Sequence, residues 1–269
     1  MGWIDQPIEV PCGQCIGCRL ERSRQWAIRC VHESSLYEAN SFITLTYDDK
    51  NMPTNASLKK RDFQLFMKRL RKYYTPRKIR FFHCGEYGDK LGRPHYHAII
   101  FNLDFEDKIP YKKQNENQLY VSPILEKIWG KGFCIIGDVT FESAAYVARY
   151  VVKKINGPRA ETHYKNKAPE YTTMSRRPGI GKEWYKKFSG DVYPDDFVVL
   201  RGRKMQPPRY YDKQLEADAE EQYKKIKVER SMDDPKRDAN NTYSRLAVRE
   251  EVQRRKLEQL TRPLESEDI

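Results

Sequence analysis

Two β-forming runs on either side of Gly88-Asp89-Lys90-Leu91-Gly92 constrain this chain more than any other feature. Upstream, Ile79-Arg80-Phe81-Phe82-His83-Cys84-Gly85-Glu86-Tyr87 carries no helical period, and downstream Arg93-Pro94-His95-Tyr96-His97-Ala98-Ile99-Ile100-Phe101 is rich in aromatic and β-branched residues. The Gly- and Asp-rich connection predicts a hairpin. Side chains two apart on a strand share a face, so His95 and His97 would present two imidazoles to one ion. Folding about the loop puts Glu86 opposite His95 or His97, which adds a carboxylate to the pair. His83 stands an odd number of positions from Glu86 and should face the other way.

The remaining elements follow from local pattern. Ser41-Phe42-Ile43-Thr44-Leu45-Thr46-Tyr47 reads as a buried strand. A helix is expected from a Ser57 N-cap to about Tyr74, with Phe63, Phe66, Met67 and Leu70 at helical spacing. Its other face is basic, and Lys68, Arg69 and Arg71 are candidate phosphate contacts. After the hairpin come a polar insert around Lys112 to Gln118, a short helix near Ile124 to Trp129 and a strand through Phe133 to Val139. The β-α-β-β-α-β order predicts an α+β fold, with an antiparallel sheet of the ferredoxin-like or split βαβ type. A last helix, capped by Thr140 and stopped by Asn156-Gly157-Pro158, places Tyr146 and Tyr150 one turn apart on one face. A phenol titrates near ~10 and needs help to act as a nucleophile at neutral pH. Arg149 and Lys153, each three residues past a tyrosine, are candidates for that help.

Charge points to the partner class. The net charge is +12 over 269 residues. From Leu215 to Ile269 there are 12 Lys and Arg against 14 Asp and Glu, a net of −2, which leaves +14 on the residues before. A basic body with a near-neutral tail fits a polyanion held by the body. No apolar run is long enough to span a bilayer, and the polar N-terminus lacks the apolar stretch of a signal peptide, so a cytosolic protein with no membrane partner is expected. Six cysteines in such a compartment read as thiols or metal ligands. Three form Cys12-Gly13-Gln14-Cys15-Ile16-Gly17-Cys18, a candidate zinc site with Cys30 or His32 as fourth ligand. The expected organisation is a Cys-rich segment over 1–38, a domain carrying the histidine pair and the tyrosine helix over 39–211 and a charged helical tail over 212–269.

At the histidine pair and the tyrosine helix the chain resembles a known family. His95-Tyr96-His97 is similar to the His-hydrophobic-His element of HUH endonucleases. Tyr146-Val-Ala-Arg-Tyr150-Val-Val-Lys-Lys resembles the two-tyrosine helix of rolling-circle initiators from small single-stranded DNA phages, the gokushovirus type of the Microviridae. Phe42-Ile-Thr-Leu-Thr-Tyr47 looks like their first motif, and Cys12 to Trp26 and Met174 to Gly181 add to the likeness. Arg149 stands where related phage enzymes can carry Lys. The resemblance implies a nicking and joining reaction on a single-stranded phage origin in the cytoplasm of a bacterial host. It implies Mg²⁺ or Mn²⁺ on His95, His97 and Glu86, a 5′-phosphotyrosine on Tyr146 or Tyr150, and a 3′-hydroxyl handed to host replication proteins. Arg176 and Arg177, with aromatics such as Tyr171, Trp184, Tyr185 and Phe188, would contact DNA. Two other readings compete: a relaxase or transposase of the same superfamily, and a non-catalytic, zinc-stabilised nucleic-acid-binding protein.

Overall fold

The computed structural model describes residues 11–88, 90–114, 117–153, 159–232 and 239–259. Its centre is a seven-stranded antiparallel sheet, in the order β4-β5-β6-β1-β3-β2-β7. The strands are β1 (Asn40–Thr46), β2 (Arg80–Tyr87), β3 (Pro94–Phe101), β4 (Ile109–Gln114), β5 (Asn117–Val121), β6 (Cys134–Gly137) and β7 (Tyr171–Met174). The β6-β1-β3-β2 core, with α2 (Lys60–Tyr73) and α3 (Pro123–Trp129) on one face, is the ferredoxin-like arrangement that the element order predicts. All eight residues of β3 are buried. Helices cover the sheet on both sides, which is why this strand is apolar at nearly every position.

One face packs Phe63, Phe66, Met67 and Leu70 of α2 and Leu125 and Trp129 of α3 against Ile43, Leu45, Tyr96, Ala98 and Ile100. The helix starts at Lys60, later than the Ser57 cap expected. Ser57 instead accepts a hydrogen bond from the Ala168 amide (2.9 Å), and the Tyr96 hydroxyl bonds both the amide (3.0 Å) and the carbonyl (2.9 Å) of Lys59 at the helix entrance. The α3 helix is closed at both ends: Ser122 caps the Leu125 amide (3.0 Å), and Gly130 takes the left-handed conformation (φ 62°) after its last turn.

The other face carries α1 (Ile16–Ser34) and α4 (Phe141–Lys153); the short α5 (Arg159–Tyr164) follows α4 in the chain. Ala27 and Cys30 of α1 and Ala144, Tyr146, Val147 and Ala148 of α4 pack with Phe42, Phe82, Ile99 and Phe101. The α4 helix begins where the cap residue predicts, with the Ser143 amide donating to Thr140 Oγ1 (3.1 Å). The expected stop at Asn156-Gly157-Pro158 lies outside the described residues.

Two expectations are corrected here. The polar stretch after the hairpin pairs as β4 and β5, extending the sheet by two strands instead of looping out. The described part of the expected Cys-rich segment is not separate in packing terms, because α1 contributes to the sheet's core. A third cluster joins Ile28 of α1 to Tyr185 and Val192 of α6 (Lys182–Val192), Tyr211 and Leu215 of α7 (Arg209–Asp218) and Ile226 of α8 (Glu220–Ser231). The expected exposed tail is therefore half packed. Exposed apolar side chains such as Leu246, Val248 and Val252 belong to α9 (Tyr243–Glu258). No helix among the described residues is long and apolar enough to cross a membrane.

Candidate active site

The β2–β3 register pairs Glu86 with His95 directly, and β1 pairs Thr44 with His97. These positions project to the α1/α4 face. Glu86 Oε1 lies 2.8 Å from His95 Nε2 and 2.7 Å from His97 Nε2. All three side chains are buried. Burial pushes the Glu86 carboxyl up, but the charge of His95 and hydrogen bonds from His95 and His97 outweigh it and hold the group at about 2. It is thus an acceptor-only carboxylate across the physiological range. His83 faces the opposite side, stacked on Phe63 with ring centroids 3.4 Å apart and its Nδ1 2.7 Å from Thr173 Oγ1.

The trio suits a divalent cation. Each imidazole is oriented from behind: His97 Nδ1 meets Thr44 Oγ1 at 2.8 Å, and His95 Nδ1 meets the Arg93 carbonyl at 3.2 Å. The Arg93 carbonyl can only accept, so Nδ1 of His95 carries a proton; the ring then donates to Glu86 from Nε2 as an imidazolium, or when neutral offers the Nε2 lone pair to a metal ion. Two nitrogens facing one carboxylate oxygen call for positive charge between them, supplied by an imidazolium or by a metal ion. The three ligand atoms lie within 4.8 Å of one another, as single-ion coordination needs.

Above the trio lies α4. The Tyr146 hydroxyl is 3.5 Å from His97 Nε2, and the two rings meet edge to face with centroids 5.1 Å apart. Arg149 extends over the same ring, its guanidinium carbon 5.9 Å from the centroid. Tyr150 belongs to the same helix one turn on, but its side chain and that of Lys153 lie outside the described residues.

Residues 40–155, which span β1 through the tyrosine helix, match the family described as replication-associated protein ORF2/G2P. Over 229 residues the chain is 34% identical to replication-associated protein ORF2 of Spiroplasma virus 4, covering 80% of this chain and 70% of that one. The chain belongs to the microvirus replication-associated proteins. It is also 39% identical over 210 residues to replication-associated protein VP4 of Bdellovibrio phage phiMH2K, covering 75% of this chain and 65% of that one. With replication-associated protein ORF4 of Chlamydia phage 1 it shares 32% identity over 211 residues, 75% of this chain and 52% of that one. The chain thus spans about two thirds or less of the length of these last two relatives. No solved structure matches it.

In this replication-associated protein several expected DNA contacts do structural work instead. The α2 cations stand on the opposite side of the sheet from the trio. Arg69 donates to the Ile128 (2.7 Å) and Trp129 (2.9 Å) carbonyls, and Arg71 donates twice to the Ile79 carbonyl (3.1 and 3.0 Å); both remain exposed, as does Lys68. Trp184 stacks on His32 with centroids 3.5 Å apart, Tyr185 is buried, and Tyr171 packs against His83. Arg176 and Arg177 are exposed just past β7, at the Phe81 end of β2. Five strand residues separate that end from Glu86, about 17 Å. Sequence reading passed over cations nearer the trio: Arg93, paired with Asp49 (2.8 Å), and Lys167, which reaches the Gly92 carbonyl (3.4 Å).

The proposed zinc set divides as well. Cys12, Cys15 and Cys18 converge, but Cys30 and His32 do not join them. Twelve residues of helix carry Cys30 about 18 Å along α1 from Cys18. There it is buried against Ala27 and α4, and burial pushes its thiol well up. His32 bonds the Tyr211 hydroxyl instead (2.9 Å).

Proposed function

We propose that this chain initiates rolling-circle replication of a phage genome by nicking single-stranded DNA at the origin and later rejoining it. The observation that carries this reading is the Tyr146 hydroxyl, 3.5 Å from His97 Nε2 and directly over the buried Glu86–His95–His97 trio. Tyr146 or Tyr150 attacks the scissile phosphorus in line. The Tyr O–P bond forms as the P–O3′ bond breaks, and the departing oxygen takes a proton to become a 3′-hydroxyl. The 5′-phosphate stays on the tyrosine, so the energy of the phosphodiester is kept for rejoining. After one round, attack by a new 3′-hydroxyl on that linkage releases the tyrosine and closes the strand. Two tyrosines on one helix allow the second to cut while the first still holds DNA.

Arg149 stabilises phenolate on Tyr146 and orients phosphate, and Lys153 is assigned the same part beside Tyr150. His95, His97 and Glu86 would hold Mg²⁺ or Mn²⁺, which when bound supplies Lewis-acid polarisation of the phosphodiester. Two imidazole ligands favour Mn²⁺ over Mg²⁺ in vitro. The trio is closed beneath α4, so a phosphate reaches it when that helix shifts away from the sheet. Arg176 and Arg177 would guide the strand on the same side of the sheet as α1, and Lys68 is left as a contact only for DNA that wraps behind it. The 3′-hydroxyl serves host replication proteins in the bacterial cytoplasm. A purely nucleic-acid-binding role would leave the convergence of three metal-type ligands under a tyrosine without a purpose.

The test is incubation with Mn²⁺ and single-stranded circular DNA of its own phage, read on denaturing gels. A covalent protein–DNA adduct that survives in Tyr146→Phe or Tyr150→Phe but vanishes in the double variant and in His97→Ala supports the reading. Sequence-specific binding by folded protein with no cleavage in Mn²⁺ or Mg²⁺ overturns it.

A further inference from the structure

The three cysteines before and at the start of α1 are not used by the chemistry above, yet their sulfurs are gathered more closely than packing requires. We propose that Cys12, Cys15 and Cys18 form a trithiolate site for a single zinc ion, with water in the fourth position. Zn–S bonds of about 2.3 Å in a tetrahedron put sulfurs about 3.8 Å apart. Cys12 Sγ and Cys18 Sγ are 3.9 Å apart, and all three sulfurs lie within 4.8 Å of one another.

The backbone is arranged for thiolates. The Cys15 amide points at Cys12 Sγ (3.2 Å), the Gln14 amide at the same sulfur (3.5 Å), and the Cys18 amide at Cys15 Sγ (3.5 Å). Gly13, at φ 71°, supplies the left-handed residue that this turn needs. Cys15 is the N-cap of α1, so the positive end of the helix faces the anionic cluster. The other three cysteines, Cys30, Cys84 and Cys134, are buried apolar packing groups.

The spacing also occurs in ferredoxins, where each thiolate binds a different iron of a cluster. Sulfurs that converge on one point fit a single ion instead. Among the described residues no fourth Cys, His, Asp or Glu joins the group. The ion would be a clip with a structural task. It fixes the start of α1, the helix that backs the tyrosine helix through Ala27, Cys30 and the Ser23 hydroxyl, which donates to the Ala145 carbonyl (3.3 Å).

Full-length protein purified under reducing conditions without chelator should carry one zinc per chain by elemental analysis, with no iron or sulfide. Replacing zinc by Co²⁺ should give thiolate-to-metal charge transfer and the intense visible bands of tetrahedral cobalt. Cys12→Ser, Cys15→Ser and Cys18→Ser should each lose most of the metal, whereas Cys30→Ser keeps it. Should a ligand variant fail to fold, the cobalt spectrum of the wild type decides. Folded, reduced protein that takes up neither zinc nor cobalt overturns the proposal. So does stoichiometric iron with sulfide, or loss of zinc from folded Cys30→Ser.

Discussion

Thr44 Oγ1, on β1 directly opposite His97 of β3, lies 2.8 Å from His97 Nδ1. The hydroxyl sets the orientation of the imidazole whose other nitrogen faces Glu86 and Tyr146. Thr44→Val keeps the β-branched shape and removes that hydrogen bond. Removing such an orienting partner lowers metal affinity by about 10–100-fold. Nicking should therefore need roughly that much more Mn²⁺ for half-maximal rate and recover at saturation, whereas Thr44→Ser stays near wild type. An unchanged Mn²⁺ titration for Thr44→Val would remove Thr44 from the site.

Arg149 extends over the Tyr146 ring, and the proposed mechanism gives it the task of stabilising the phenolate. Loss of one preorganised charge-stabilising group costs on the order of 100-fold in rate. In a Tyr150→Phe background, where Tyr146 alone can attack, Arg149→Ala should slow cleavage by about that factor and move the rising limb of the pH–rate profile upward. Arg149→Lys should restore most of the rate. A slow Arg149→Ala enzyme with an unmoved pH profile would point to folding or DNA binding instead.

Tyr96, the residue between the two histidines, points to the other face and ties β3 to α2. Its hydroxyl meets Tyr47 (2.8 Å) as well as the Lys59 backbone, and Tyr47 donates to Asp62 (2.8 Å). Tyr96→Phe leaves buried polar groups without that partner, a cost of about 1–3 kcal/mol. Urea unfolding should show this loss with an unchanged slope, and the Mn²⁺ requirement of the folded protein should stay as in wild type.

Acid should destabilise the third cluster. Burial holds His32 down to about 3, where it stacks on Trp184 and bonds the Tyr211 hydroxyl. An unfolded histidine titrates near ~6.5. Below that pH the unfolded chain takes up the proton first, so the stability due to neutral His32 is full above about 6.5 and is lost as pH falls toward 3. The slope is about 1.4 kcal/mol per pH unit, or roughly 2 kcal/mol by pH 5. His83, also pushed down by burial, adds in the same direction. His32→Phe keeps the stack without the titration, so its disadvantage at pH 7 should shrink at pH 5. Parallel pH profiles would contradict the assignment.

Much of the site could be read from alternation alone. A hairpin about Gly88–Gly92 with a period of two puts Glu86 beside His95 and turns His83 away, and the observed register does both. The Thr140 cap and the i, i+4 tyrosines likewise located α4. Where local pattern was weak, tertiary context decided. The turn end of the β4–β5 hairpin, with Lys112, Lys113, Gln114 and Gln118, is polar and reads as a loop, although Leu119 of β5 is buried in the core and β6 offers an edge to pair with. In α1, four arginines and the cysteine triplet at its start mask the apolar positions that face α4. Cys30 joined the zinc set on proximity in sequence, and a helix separates what sequence keeps near. The basic face of α2 suggested phosphate, yet Arg69 and Arg71 close backbone carbonyls instead.

The central claim is that a tyrosine on α4 becomes covalently joined to DNA. Its most direct test is mass spectrometry of the Mn²⁺-dependent adduct after nuclease trimming and proteolysis. The account predicts a 5′-linked nucleotide phosphate on Tyr146 or Tyr150, with the mark moving wholly to the remaining tyrosine when either is changed to Phe. A nucleotide on any other residue, or an adduct that persists in the double Phe variant, would contradict it.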